Sequence, residues 1–210
     1  GAGGGGGRVA VHCDYVEADH NFNNLYNLTA FGGRGSYDTR RSSAGTVYLK
    51  TSTQAQGNLY VDDNVVDGSG NPNGTSPEST PLTLIGFGTT VAVTGNTLTT
   101  DGRVALLPGD LAGMRLNPDI NQSETFVIQT NTEDTITVIS PNEHNVNFSA
   151  PLVVAGKTYS GLYRFDNVIF RRGGNLVVGD LLEVTDTMWI GEYGLLTHYK
   201  TTTNFVNWLD

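Results

Sequence analysis

The sequence is poor in cysteine and in positive charge, and it has no long apolar run. Its single cysteine, Cys13, excludes an intrachain disulfide and with it the small disulfide-stapled folds, although export remains open. Lys and Arg number 12 against 21 Asp and Glu, which gives a net charge of -9. Because phosphate backbones are bound mainly through Lys and Arg, we expect no nucleic-acid partner. No apolar run approaches the roughly 20 residues of a membrane-spanning helix, so we expect no membrane insertion.

Glycine is abundant, and convincing helical periodicity is absent. There are 27 glycines in 210 residues, together with many Thr, Val and Asn, a bias that favours strands and tight turns. No amphipathic helical run extends beyond two turns. The sequence therefore predicts an all-β protein, with enough residues for one sizeable domain or two small ones.

Two stretches can be divided into six-residue frames in which apolar residues alternate with polar ones. The C-terminal stretch divides into NLVVGD, LLEVTD, TMWIGE and YGLLTH, and an earlier one into GTVYLK, TSTQAQ, GNLYVD and DNVVDG. A turn every sixth residue makes each strand too short to form a core alone. Stacked coils would bury these strands, so the frames predict a parallel β-helix, also called a β-solenoid.

The middle of the chain follows a different pattern. TFVIQT and TITVIS are longer strands separated by NTED, which is typical of a β-hairpin. We therefore expect solenoid coils over residues 1–100, a small inserted β-hairpin or β-sandwich module over 101–150, and further coils over 151–210 that continue the first set.

The phrases GAGGGGGRVAV, GTVYLK and GNLYVDD resemble glycine-rich β-helix segments of very large bacterial surface or secreted proteins of adhesin type. LAGMRLNPDINQSETFVIQTNTEDTITV followed by GLYRFDNVIFRRGGNLVVGDLLEV is similar to a recurring pair in those proteins, a short β module followed by coils. The resemblance implies a right-handed parallel β-helix outside the cell, acting as a stalk, an adhesive face or a filament. It carries over no catalytic residue. The start at Gly1 without Met is expected of a segment cut from something longer.

One acidic stretch, YVDDNVVDGSGNPNG, has the oxygen ligands that calcium requires. Its spacing matches neither an EF-hand loop nor the glycine-rich nonapeptide repeats that bind calcium, so a plain solvated turn is the alternative. A second cluster, comprising Asp110, Asn117, Asp119 and Glu124, is a weaker candidate of the same kind. The candidate calcium ligands of the first stretch are Asp62, Asp63, Asp67, Asn71 and Asn73.

Two further patterns bear on carbohydrate chemistry. Asp180, Asp186 and Glu192 close successive frames, but a glycosidase needs two carboxylates about 5–9.5 Å apart, and turn positions on different sides of a coil do not provide them. Exposed aromatic rings can stack on sugar faces or on another protein, and the alternative is that they fill the solenoid interior. The candidate binding residues are Tyr163, Phe165, Trp189 and Tyr193.

These patterns favour a non-enzymatic structural or adhesive segment of an exported protein at the cell surface or outside the cell. Its partners would be copies of itself or neighbouring segments of a longer chain, and surface glycans are a further candidate. Solenoid ends expose unpaired strands, so assembly into a fibre is one expected property. The alternative is a carbohydrate-binding or polysaccharide-degrading module on the same scaffold.

Overall fold

A computed structural model describes residues 4–15, 28–33, 42–64, 78–191 and 193–199. The chain divides into two compact units. The first unit comprises Gly1–Leu82, Arg164–Val178 and Val184–Asp210, and the second comprises Thr83–Tyr163 and Gly179–Glu183. The module expected over 101–150 lies within the second unit.

Within the described ranges the regular structure is β-strand, without a helix, so the all-β prediction is confirmed for this part of the chain. The strands, in chain order, are β1 Arg8–Cys13, β2 Thr46–Thr51, β3 Asn58–Asp62, β4 Thr80–Pro81, β5 Phe87–Thr89, β6 Ala92–Thr94, β7 Thr97–Thr99, β8 Arg115–Asn117, β9 Phe126–Asn131, β10 Thr135–Val138, β11 Thr158–Arg171, β12 Asn175–Val178, β13 Leu181–Ile190 and β14 Leu195–His198.

Strands in the first unit pair mostly in parallel, between segments that are distant in sequence. β1 pairs with β2, β3 with the second half of β11, and β12 with both β4 and β14, all in parallel. Asn175 lies beside Leu195 and Val178 beside His198, so partners in β12 and β14 are 20 positions apart. Parallel neighbours need a crossover connection, which the long intervening segments supply.

By contrast, β2 and β3 form an antiparallel hairpin. A residue of β11 stabilises the turn of this hairpin. The Asp166 carboxylate accepts the Gly57 N–H at 2.9 Å and the Gln56 N–H at 3.2 Å. Gly57 has φ +78, a left-handed conformation that glycine adopts without strain. Residues 52–57 are therefore a turn, and the frame TSTQAQ does not form the predicted coil strand.

The six-residue spacing is also wrong at the C-terminal stretch. β13 runs through ten residues from Leu181 to Ile190, across the expected turn after Asp186. β11 is longer still, at 14 residues. Period-two alternation fixes which residues share a face, but it does not fix where a strand ends, and that is why the frames were misplaced.

Antiparallel strands build the second unit. β6 pairs with β7, β7 with β10, β10 with β9, and β9 with β8, while the first half of β11 pairs with β5 and β8. The hairpin predicted around NTED is confirmed by the β9–β10 pair. Its core contains large apolar side chains, namely Ile85, Leu98, Leu106, Leu111, Leu116, Phe126, Ile128, Ile136, Val138, Phe148, Val153 and Tyr159.

Candidate functional site

The acidic stretch predicted to bind calcium begins at the end of β3, and there Asp62 is held by an arginine. Arg172 Nη2 lies 2.6 Å from Asp62 Oδ2, and Arg172 Nε donates to the same carboxylate at 3.1–3.2 Å. Arg172 Nη1 also donates to Asn64 Oδ1 at 2.8 Å. The guanidinium therefore occupies the side of Asp62 that a cation would otherwise approach.

Of the other four predicted ligands, one is buried and three lie outside the described residues. Asp63 is fully buried, and Asp67, Asn71 and Asn73 lie outside the described residues. No group of three or more His, Cys, Asp or Glu side chains comes together within the described ranges in a way that could hold a metal ion. Calcium binding at this stretch stays a prediction.

Local hydrogen bonds in the second unit occupy two carboxylates of the weaker acidic cluster. Asp119 accepts the backbone and side-chain N–H groups of Asn121 at 3.0 Å and lies 3.2 Å from Lys157 Nζ. The Asn121 backbone N–H is the main cause that lowers the pKa of Asp119. Hydrogen bonds from Asn142 and then His144 lower the pKa of Glu124. These contacts order the loops and leave little carboxylate surface for a metal.

Of the carboxylates that close the C-terminal frames, the structure describes Asp180 and Asp186, and the two are placed differently. Asp180 is buried and accepts the backbone N–H groups of Ile85 at 2.8 Å and Gly86 at 2.7 Å. Asp186 is exposed on β13, and Glu192 lies outside the described residues. Asp180 thus fixes the backbone of the segment before β5 in the second unit by hydrogen bonding.

Of the four aromatic candidates, two are engaged in packing and two are exposed. Tyr163, in the second unit, donates its hydroxyl to Thr83 O at 2.6 Å. In the first unit, Phe165 is buried and lies 6.2 Å from the Tyr48 ring. Trp189 is 51% exposed and Tyr193 63% exposed, so these two remain available for contact with a ligand or partner.

Trp189 and Tyr193 are two of several exposed apolar side chains in this part of the chain, most of which the sequence did not indicate. Six large side chains near the end of the first unit are 41–63% exposed. The alternation in β13 favoured burial of half of them, so no sequence signal marked the whole set. We name this set the terminal apolar surface, and it comprises Met188, Trp189, Ile190, Tyr193, Leu195 and Tyr199.

The terminal apolar surface is exposed because β13 and β14 are edge strands among the strands of the described residues. β13 pairs with β11, and β14 with β12, without a further neighbour among the strands of the described ranges. Gly191 N–H donates to Phe170 O at 3.1 Å, so the chain directly after β13 lies beside Phe170 of β11. Val168 and Phe170 on β11 are fully buried, whereas Met188 and Ile190 on β13 are 42% and 47% exposed.

The described residues thus form an all-β fold of mixed parallel and antiparallel pairing, and a search of them finds no helix suited to spanning a membrane. No protein-family model matches the chain, and no curated protein does either. Among solved structures, the tailspike gp61 of Pseudomonas phage phi297 is similar at 16% identity and a TM-score of 0.23, over 79% of this chain. The matched region spans 26% of that tailspike.

Proposed function

We propose that the chain is a non-enzymatic structural or adhesive segment of an exported β-helical protein, located at the cell surface or outside the cell. The observation that carries this proposal is the parallel, in-register pairing of distant segments in the first unit. β4, β12 and β14 form one such row, and β3 and β11 form another. Such rows are what successive coils of a right-handed β-solenoid produce when they stack.

The charge of the chain supports the same function. A net charge of -9 keeps the protein soluble and disfavours phosphate-rich partners. The partners we propose are therefore copies of the chain or neighbouring segments of a longer protein. In this proposal the stacked coils supply a stiff scaffold, and assembly through their open ends yields a fibre.

Electron microscopy of the purified chain, with and without a chelator, tests this function. Regular fibres are the expected result, because the coil ends carry open strand edges. Loss of the fibres on chelation would support calcium at the stretch that begins at Asp62, and Asp62→Asn would then weaken the calcium response. Isolated particles at every concentration would rule out the fibre.

Carbohydrate binding is the second candidate, and the exposure of Trp189 and Tyr193 is the observation that favours it. Aromatic rings with one open face stack on the apolar faces of sugars. A glycan array should then show binding that Trp189→Ala abolishes. Leu107→Ala is the matched control, because Leu107 is an exposed apolar residue of the second unit at 68%. Equal glycan binding by both variants would reject this role for Trp189.

A further inference from the structure

We propose that the outward face of a four-strand sheet in the second unit binds the surface of an ice crystal. The face is a regular array of threonine side chains, and its occupant is water held in a crystalline lattice. This inference goes beyond the proposed function and does not depend on it, because the array lies within the second unit alone. We name the array the threonine grid, and it comprises Ala92, Thr94, Thr97, Thr99, Thr130, Thr132, Thr135 and Thr137.

Four antiparallel strands arrange the threonine grid in two rows. The strands lie side by side in the order β6, β7, β10 and β9. The first row contains Thr94, Thr97, Thr137 and Thr130, and the second contains Ala92, Thr99, Thr135 and Thr132. Seven of these eight positions are threonine. The sequence does not mark the set, because its members come from four strands and only the pairing of those strands brings them together.

The residues that alternate with the threonines face the core, so the threonines face outward. Leu98 on β7 and Ile136 on β10 are fully buried, and Val93 on β6 packs against the same core. Successive side chains of a strand point to opposite faces of the sheet. All eight side chains of the threonine grid are accordingly exposed or half-buried. The grid is therefore a surface that a ligand can reach.

The threonine side chains have restricted positions, which suits a ligand of fixed spacing. A β-branched side chain has little freedom at χ1, and hydroxyl contacts across the strands restrict it further. Thr97 Oγ1 lies 2.9 Å from Thr137 Oγ1, and Thr132 Oγ1 lies 2.6 Å from Thr135 Oγ1. The grid extends about 14 Å across the strands and about 7 Å along them. Sheet twist raises its outer corners by about 1–2 Å, so β7 and β10 carry its flattest part.

The chemistry of the threonine grid matches crystalline water. A threonine hydroxyl both donates and accepts hydrogen bonds, as a water molecule does. No grid position carries a charge, although the chain has 12 basic and 21 acidic residues. The nearest carboxylates in the sequence, those of Asp101, Glu133 and Asp134, lie beyond one end of the grid, where Asp134 accepts the Thr132 hydroxyl at 2.9 Å. An ice lattice does not take up ions, so a neutral face is the kind that it can contact without loss of ion hydration.

A sugar chain is a poorer match for the threonine grid. Sugars commonly stack on aromatic rings, and no grid position is aromatic. The exposed aromatic rings of the described residues, Trp189 among them, belong to the first unit. Cross-strand threonine pairs also stabilise a sheet without any ligand, and the experiment has to separate that structural role from ice binding.

Incorporation of the full chain into slowly growing ice tests the inference, and thermal hysteresis is the second readout. The wild type should be enriched in the ice, whereas a protein without affinity for ice stays in the liquid. Thr97→Tyr should reduce the incorporated fraction at least about tenfold, because its ring stands above the plane of the grid. Thr187→Tyr is the matched control. Thr187 is an exposed strand threonine of the first unit, so this variant should be incorporated as the wild type is.

A second grid variant guards against loss of folding. Thr137→Val keeps the shape and the strand preference of the side chain but removes its hydroxyl, so it should lower thermal hysteresis with unchanged far-ultraviolet circular dichroism. Exclusion of the wild type from ice, or equal incorporation of the wild type and both grid variants, would overturn the inference. Glycan binding that Thr97→Tyr abolishes, without incorporation into ice, would assign a sugar to the grid and reject ice. Fibres in electron microscopy bear on the proposed function alone, so the two proposals fail separately.

Discussion

Arg172 and Asp62 form an ion pair with their nearest atoms 2.6 Å apart, although they are separated by 110 positions in the chain. Both side chains are largely buried, at 24% and 17% exposure. The Arg172 guanidinium also lies 5.1 Å from the Phe31 ring centre, within range of a cation–π interaction. This pair joins the end of β3 to the turn after β11 in the first unit.

Breaking this ion pair should destabilise the first unit. Asp62→Ala leaves the guanidinium without its carboxylate in a mostly buried position, so we expect a loss of about 1–3 kcal/mol in the free energy of unfolding. Urea denaturation measures the loss. Asp110→Asn is the control, because Asp110 is exposed, and it should unfold as the wild type does. Equal midpoints for Asp62→Ala and the wild type would contradict a stabilising role for the pair.

The buried Asp180 carboxylate should be more important for the second unit than any exposed carboxylate. Asp180→Ala removes the acceptor for the Ile85 and Gly86 N–H groups, which stay buried. The expected cost is about 2–4 kcal/mol, because charge-assisted bonds are lost and two donors are left unsatisfied. The loss should appear in thermal or urea unfolding. Asp186→Ala, on exposed β13, should change stability by less than about 0.5 kcal/mol.

Tyr159 should make the stability of the second unit fall at high pH. Burial, and next the negative charge of Asp101, raise the pKa of the Tyr159 hydroxyl from 10.0 to about 12. Below pH 10 the hydroxyl is protonated in both states, whereas between pH 10 and about 12 only the unfolded chain loses the proton. The stability contribution is therefore intact below pH 10 and is lost progressively above it, by about 3 kcal/mol in total.

Urea unfolding at several pH values in this range checks the effect. Tyr159→Phe should flatten the decline, since the titrating group is gone. Tyr15→Phe should leave the decline unchanged, because Tyr15 is 68% exposed. A decline of the same slope in both variants would assign the alkaline sensitivity to other groups.

Asn131 should be needed for the loop that covers the core of the second unit. Its side chain accepts the Leu111 N–H at 3.1 Å and donates to Leu107 O and Thr132 O at 2.9 Å. Asn131→Leu leaves these backbone groups without partners, and we expect a loss of about 2–3 kcal/mol. Hydrogen exchange at the Leu111 amide should accelerate in parallel. Gln129→Leu, on the exposed side of the same strand, should leave both measurements near the wild-type values.

The alternation of apolar and polar residues correctly predicted that the chain forms strands and which face of several strands is buried. Val47, Leu49, Leu59 and Val61 alternate in the sequence, and all four are buried. The hairpin around NTED was likewise predictable, because turn residues between two alternating runs bring neighbouring strands together. The bounds expected for the inserted module, residues 101–150, stay a prediction.

The sequence by itself determined the all-β class, the alternation of buried and exposed faces, and the hairpin, because each depends on residues close together in the chain. Only the tertiary structure decided which distant strands pair. Asn175 meets Leu195 and Asp62 meets Arg172 because the chain path brings them together, and period-two alternation does not encode partner or register. The exposure of Met188 and Ile190 was decided in the same way, since the pattern of a strand at an edge is the same as that of a strand inside the sheet.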